Sequence, residues 1–280
     1  MINNFRATIL IDNKPNPDHP DLLSEHGLSI WIEADSACIV FDTGQSNKCI
    51  ENALNLGIDL SRAEYLILSH GHYDHTGAID AMLRFAPHVK IYCHPDCTIH
   101  RYSHYADGTV KNIAIREHAQ HTLNKHAQQT TYIESFKYIT DSFGIIASIQ
   151  RNTSFENTGG AFSIDSKGDI TDTIPDDLSL FFLTSRGIVL VCGCCHSGII
   201  NTIRSLQQSI PDIPIAAVIG GLHLVNASEE RISGTIAGLE KVTVPFLYPC
   251  HCTGDIAASA LHNAYPERVV PVCTGYSITV

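Results

Sequence analysis

The stretch Leu66–Gly77, LILSHGHYDHTG, decides how this chain is read. Its lead-in, Tyr65-Leu66-Ile67-Leu68, is an apolar run with the look of a buried strand. His70, His72, Asp74 and His75 then follow within six positions, starting where that strand should end. Residues two apart on extended backbone share a face, so His70 and His72 can point at one spot. Gly71 and Gly77 let the chain turn, which brings Asp74 and His75 toward a second spot nearby. Imidazole nitrogens with one carboxylate suit a borderline divalent ion such as zinc, iron or manganese. A lone histidine here would be a solvated loop residue. Three histidines and an aspartate packed directly after a strand form a metal-ligand pattern.

The same arrangement recurs further along. Ser185-Arg186-Gly187 turns the strand Leu178–Thr184 back into Ile188–Cys192, a hairpin that delivers Gly193-Cys194-Cys195-His196. Ile215–Ile219 ends at Gly220-Gly221-Leu222-His223, and Val242–Tyr248 at Pro249-Cys250-His251-Cys252. His70, His196, His223 and His251 thus each follow a separate apolar strand at its C-terminal end. Four strands of one sheet would deliver them to one edge, the usual place for a site in a layered α/β protein. Helices are expected over Ser46–Leu56, with Cys49, Ile50, Ala53 and Leu54 on its inner face, and over Ala78–Phe85, Ile199–Ser209 and Ser228–Leu239.

The chain opens on strands: Phe5–Asp12 as a sheet edge, then Gly27–Glu33 and Ala37–Phe41, a mixed or antiparallel beginning. Asp42, at the end of the third, either orients a ligand histidine or caps the next helix. Residues 96–155 carry little periodicity. His100, His104, His118, His121 and His126 lie there, with His100 and His104 at helical spacing, and read as surface or cleft residues. The segment reads as an insertion between two halves joined near residue 150, of the kind that covers an active site.

At 280 residues and 44% hydrophobic, the chain is long and apolar enough for a substantial core. A net charge of −11 argues against non-specific nucleic-acid binding. It leaves an anionic substrate open, because bound dications reverse the local field. No apolar stretch reaches the ~18 residues of a membrane span and no leader pattern is seen, so a cytoplasmic protein with no membrane or nucleic-acid partner is expected. The ten cysteines then read as reduced thiols. Cys192-Gly193-Cys194-Cys195 has a C-x-x-C spacing, but Cys250-His251-Cys252 is wrongly spaced to complete a structural zinc site with it.

HGHYDH resembles the H-x-H-x-D-H signature of the metallo-β-lactamase superfamily, and Ile39–Gly44 looks like its strand followed by D-T-G. GCCHSGIIN (Gly193–Asn201), GGLHL (Gly220–Leu224) and HCTG (His251–Gly254) resemble one subgroup. That subgroup includes the dihydropterin (ribofuranosylaminobenzene phosphate) synthase of methanopterin assembly and uncharacterised metal-dependent hydrolases. The resemblance implies an α/β fold, a four-layer αββα sandwich with mixed β-sheets whose shared edge carries the site.

It also implies one or two divalent ions, zinc first, with manganese or iron as alternatives. His70, His72 and His196 would hold one; Asp74, His75 and His251 the other. Cys194 stands where the superfamily has a bridging aspartate, and His223 is a metal or substrate contact. A water activated between the ions would attack a small phosphorylated or ester-containing substrate, with Asp74 as proton acceptor. The alternatives are a pterin-synthase-like transfer that displaces diphosphate, and a metal- or ligand-binding protein without catalysis.

Overall fold

The architecture follows from strands that are apolar on both faces. In Ala37–Phe41, Ile39 and Phe41 face one way and Cys38 and Val40 the other, and all four are buried. In Gly187–Cys192, Val189 and Val191 oppose Ile188, Leu190 and Cys192 in the same manner. Such strands need a covering layer on each side. The computed structural model describes residues 1–280 and supplies those layers with two sheets and six helices.

The first sheet has seven strands, ordered Ser277–Thr279, Phe5–Ile11, Ser29–Ala34, Ala37–Phe41, Tyr65–Ile67, Lys90–Cys93 and Thr130–Tyr132. It is antiparallel as far as Ala37–Phe41 and parallel beyond. The second has six: Phe246–Cys250, Ile215–Gly221, Gly187–Cys192, Ser179–Thr184, Phe143–Ile146 and Lys137–Tyr138. Its first three are parallel and the rest antiparallel. Ile39, Phe41 and Ile67 of one sheet meet Phe182, Val189, Val191 and Ile219 of the other in the inner core. Lys48–Asn55, Ile79–Phe85 and Glu117–Lys125 cover the outside of the first sheet. Ile199–Ser209, Glu229–Val242 and Asp255–Ala264 cover the second. This is the four-layer αββα sandwich with mixed sheets. No helix is long and apolar enough to cross a membrane.

Several expectations need correction. The four histidine-bearing strands belong to two sheets, not one: Tyr65–Ile67 to the first and the other three to the second. Phe5–Ile11 is not an edge, because Ser277–Thr279 pairs outside it. Leu54 points to solvent, on the polar side of its helix. Residues 96–155 are not a simple insertion. Thr130–Tyr132 closes the first sheet, Lys137–Tyr138 and Phe143–Ile146 close the second, and the crossing between halves falls near residue 135 rather than 150. His104 lies on the strand Tyr102–His104 and shares no helical face with His100. That strand, Val110–Asn112 and Ala161–Ser163 make a small third sheet beside the histidines.

Candidate metal centre

The parallel strands of both sheets stop at the same edge, and their C-terminal turns interlock there. Gly193 is what allows the approach: a Cβ on it would lie 2.2 Å from Ser69 Oγ, across the boundary between the sheets. After Tyr65–Ile67 the chain bends through Ser69, His70 and Gly71, His72 is extended, and Tyr73–Thr76 then forms one helical turn that carries Asp74 and His75. From the second sheet come Cys194 and His196 after Gly187–Cys192, His223 after Ile215–Gly221, and His251 after Phe246–Cys250.

These side chains converge. His70 Nε2 is 2.9 Å from His72 Nδ1. His75 Nε2 is 3.2 Å from both His251 Nε2 and Cys194 Sγ. Asp74 Oδ2 lies 3.7 Å from His75 Nε2 and 3.6 Å from His251 Nε2. The ligand atoms of His70, Cys194 and His196 lie within 4.8 Å of one another, as do those of His75, Cys194 and His251. Every expected site residue is therefore in the cluster, with His223 on its rim beside His196, ring centroids 4.0 Å apart.

The far side of each ring explains which nitrogen faces inward. Asp42 Oδ2 accepts from His75 Nδ1 at 2.7 Å. The Thr158 carbonyl accepts from His196 Nδ1, and Asn13 Oδ1 from His251 Nδ1, both at 2.9 Å. Ser69 Oγ donates to Asp42 Oδ2 at 2.7 Å, so at 2.8 Å it accepts from His70 Nδ1. Each of these four rings thus turns a bare or displaceable Nε2 inward, as metal ligation requires. His196 Nε2 and His72 Nε2 are buried with no hydrogen-bond partner. Buried polar atoms left bare are costly, and a cation would satisfy the inward nitrogens. The donor set fits divalent metal.

The backbone is bent to the same end. Asp42, Cys195, His223 and His251 all have left-handed φ values, 61°, 58°, 45° and 50°. For residues other than glycine such strain costs on the order of 1–3 kcal/mol each and gathers at functional sites.

Electrostatics divides the rings. Burial pushes His70, His72 and His196 well below the usual imidazole range and His251 to about 4. Burial acts on His75 too, but the Asp42 and Asp74 carboxylates outweigh it and raise His75 to about 9. Asp74 is held below the ordinary carboxylate range, the charge of His75 and the hydrogen bond from His26 overcoming burial. Without metal, the cluster thus keeps a proton on His75, at the face shared with His251 and Cys194.

Sequence reasoning missed Cys252, His26 and Asn13. Cys252 Sγ lies within 4.8 Å of the ligand atoms of Cys194 and His223. His26 Nε2 donates to Asp74 Oδ2 at 3.1 Å. Cys252 had a signal, its place next to His251 at a strand end. His26 and Asn13 come from the irregular 12–28 region, where no periodicity marks them.

A cavity of about 280 Å³ opens over the cluster, lined by His72, Asp74, Cys194, His223, His251 and Cys252 on its floor. Tyr73, Lys111 and Phe162 form its walls. Lys111 Nζ donates to Tyr73 Oη at 2.6 Å. The Phe162 ring sits 5.6 Å from His196 and 5.9 Å from His72, between centroids.

Comparison with known proteins agrees with this geometry. The sequence profile of the metallo-β-lactamase superfamily matches residues 25–202, and the chain belongs to that superfamily. It is similar to two proteins of Methanocaldococcus jannaschii. One is 7,8-dihydropterin-6-methyl-4-(β-D-ribofuranosyl)-aminobenzene-5′-phosphate synthase, 27% identical over 95% of this chain and 93% of that one. The other is the uncharacterized protein MJ0448, 31% identical over 90% of this chain and 92% of that one. Among solved structures, Tm1679, described as a metal-dependent hydrolase of the β-lactamase superfamily, superposes with a TM-score of 0.81 at 25% identity, covering 99% of both chains. The superfamily typically binds divalent metals, and the groups gathered here are of the kind that hold them.

Proposed function

We propose that this protein is a zinc-dependent hydrolase acting on a small, phosphorylated or ester-containing molecule. The observation that carries the reading is the meeting of His70, His72, His196, Asp74, His75, His251 and Cys194 in one cluster, of which His72, Asp74, Cys194 and His251 line a cavity, with ring nitrogens turned inward. In this reading His70, His72 and His196 hold one ion, Asp74, His75 and His251 the other, and Cys194 lies between. Bound there, the ions supply an activated water and neutralise charge on the substrate oxygen.

The residues of the chain do the rest. Asp74 would accept the proton lost by the attacking water, and His26, whose Nε2 donates to Asp74 Oδ2 at 3.1 Å, holds that carboxylate in place from the half-exposed side of the cavity. Tyr73 and Phe162 narrow the cavity and limit bulk water. The Lys111 ammonium offers the wall's positive charge to an anionic substrate.

A second reading is favoured by the similarity to the M. jannaschii synthase: transfer, in which the same residues hold a diphosphate leaving group while an acceptor replaces water. The test is a screen of the zinc-, manganese- and iron-loaded protein. Phosphodiesters, lactones and thioesters form one arm, a pterin diphosphate with an arylamine acceptor the other, and His72→Ala is the control. Hydrolysis in the first arm, abolished in His72→Ala, is expected. Turnover only in the second arm replaces hydrolysis with transfer. Inactivity throughout, with ligand binding retained, makes the protein a binder.

A further inference from the structure

We propose that Cys194, His223 and Cys252 form a further cation position, thiolate-rich and suited to a thiophilic ion, which draws on Cys194 in competition with the imidazole–carboxylate centre. Their three ligand atoms lie within 4.8 Å of one another, and no carboxylate belongs to the group. Two sulfurs and one imidazole make a softer set than the histidines and aspartate beside it, and such sets select zinc, cadmium or copper(I) over magnesium or manganese.

Three observations point to a built position rather than chance packing. His223 Nδ1 is buried and has no hydrogen-bond partner. Cys252 Sγ is fixed by the backbone, accepting from the His223 N–H at 3.3 Å and lying 3.5 Å from the Cys194 carbonyl. Gly221 makes room for it, since a Cβ there would sit 2.6 Å from that sulfur. All three residues line the cavity over the histidine cluster, so an ion held by them is open to a bound molecule.

The inference rests on the reading that the cluster binds metal, and its test separates the two. The full-length protein is loaded with cadmium(II) and, separately, cobalt(II), and compared with Cys252→Ser, Cys252→Ala, His223→Ala and Cys194→Ser. Circular dichroism checks that each is folded. The expected result is one tightly held cadmium equivalent fewer in both Cys252 variants and in His223→Ala. The near-ultraviolet thiolate-to-cobalt absorption should fall to about half in the Cys252 variants, one of two sulfurs being lost. Uptake and absorption unchanged in the Cys252 variants but lost in Cys194→Ser would overturn this position and leave the hydrolase reading intact. No uptake of either ion by the unaltered protein would overturn both.

Discussion

Asp42 and His75 form a fully buried ion pair, Oδ2 to Nδ1 2.7 Å, that spans the end of Ala37–Phe41 and the helical turn Tyr73–Thr76. The same carboxylate accepts from Ser69 N and Ser69 Oγ, each at 2.7 Å. It therefore takes three donors, and through Ser69 it also steadies His70.

An amide cannot replace it. Asn at position 42 has one oxygen and would turn its NH2 either on Ser69 N–H or on the Ser69 hydroxyl and His75. Partners of this kind typically control metal affinity by 10–100-fold. Asp42→Asn is expected to weaken zinc binding by about that factor, read by competition with a chromophoric chelator. Unchanged affinity would mean that His75 is oriented by packing alone.

The proton on His75 gives the metal-free protein a signature. A histidine whose folded value, about 9, exceeds the unfolded ~6.5 stabilises the fold fully below about 6.5, and that stabilisation is lost as pH rises through about 9. For His70, His72, His196 and His251 the shift is downward, so the unfolded chain binds more protons and stability is lost as pH falls below about 6.5. Urea midpoints in the presence of EDTA should peak near pH 6.5 and fall on both sides. The alkaline fall reaches at most about 3 kcal/mol. Zinc should flatten it by displacing the proton. A metal-free midpoint that climbs steadily from about pH 6.5 to 9 would contradict the charge assigned to His75.

Much of this was legible in the sequence, for a physical reason. The lead-in Tyr65–Leu68 and the runs Ile188–Cys192 and Ile215–Ile219 are buried on both faces, so their side chains are apolar without interruption and the first polar residue marks the strand end. The histidines follow at once, and their convergence needs only that parallel strands stop at one edge. What stayed hidden depends on contacts distant in sequence. Asn13 reaches His251 across 238 positions and Thr158 reaches His196 from an irregular loop. Thr130–Tyr132 and Lys137–Tyr138 are short edge strands with exposed side chains, so 96–155 offers no alternation to read.

That segment also holds a buried arginine which ties it to the histidine loop. Arg101 Nη1 is 2.6 Å from Asp176 Oδ1 and its Nε is 3.6 Å from Asp172 Oδ2, with all three side chains buried. Asp176 Oδ2 accepts the Gly71 N–H at 2.7 Å, between His70 and His72. Burial pushes Asp176 up to about 6 despite the guanidinium, so the pair holds at neutral pH. Breaking such a pair leaves buried charge uncompensated, at about 3–5 kcal/mol. Arg101→Met is expected to lose that much in urea unfolding. Adding Asp172→Asn and Asp176→Asn should return part of it, and a loss below about 1 kcal/mol would show that water reaches the pair.

Lys111 Nζ stands 4.4 Å over the Tyr73 ring, with the Arg116 guanidinium 5.4 Å from the same centroid. In a chain of net charge −11 these cations beside the histidine floor favour an anionic ligand. Lys111 is on the surface and screened, so its contribution is modest and salt-dependent. Lys111→Ala should weaken inhibition by inorganic pyrophosphate about 3- to 10-fold at low salt, an effect that shrinks as ionic strength rises. For a phosphorylated substrate the change should fall on KM, since a wall charge binds ground and transition states alike. Lys111→Arg should restore binding. An equal loss with a neutral ester would show that Lys111 acts by packing against Tyr73 rather than by its charge.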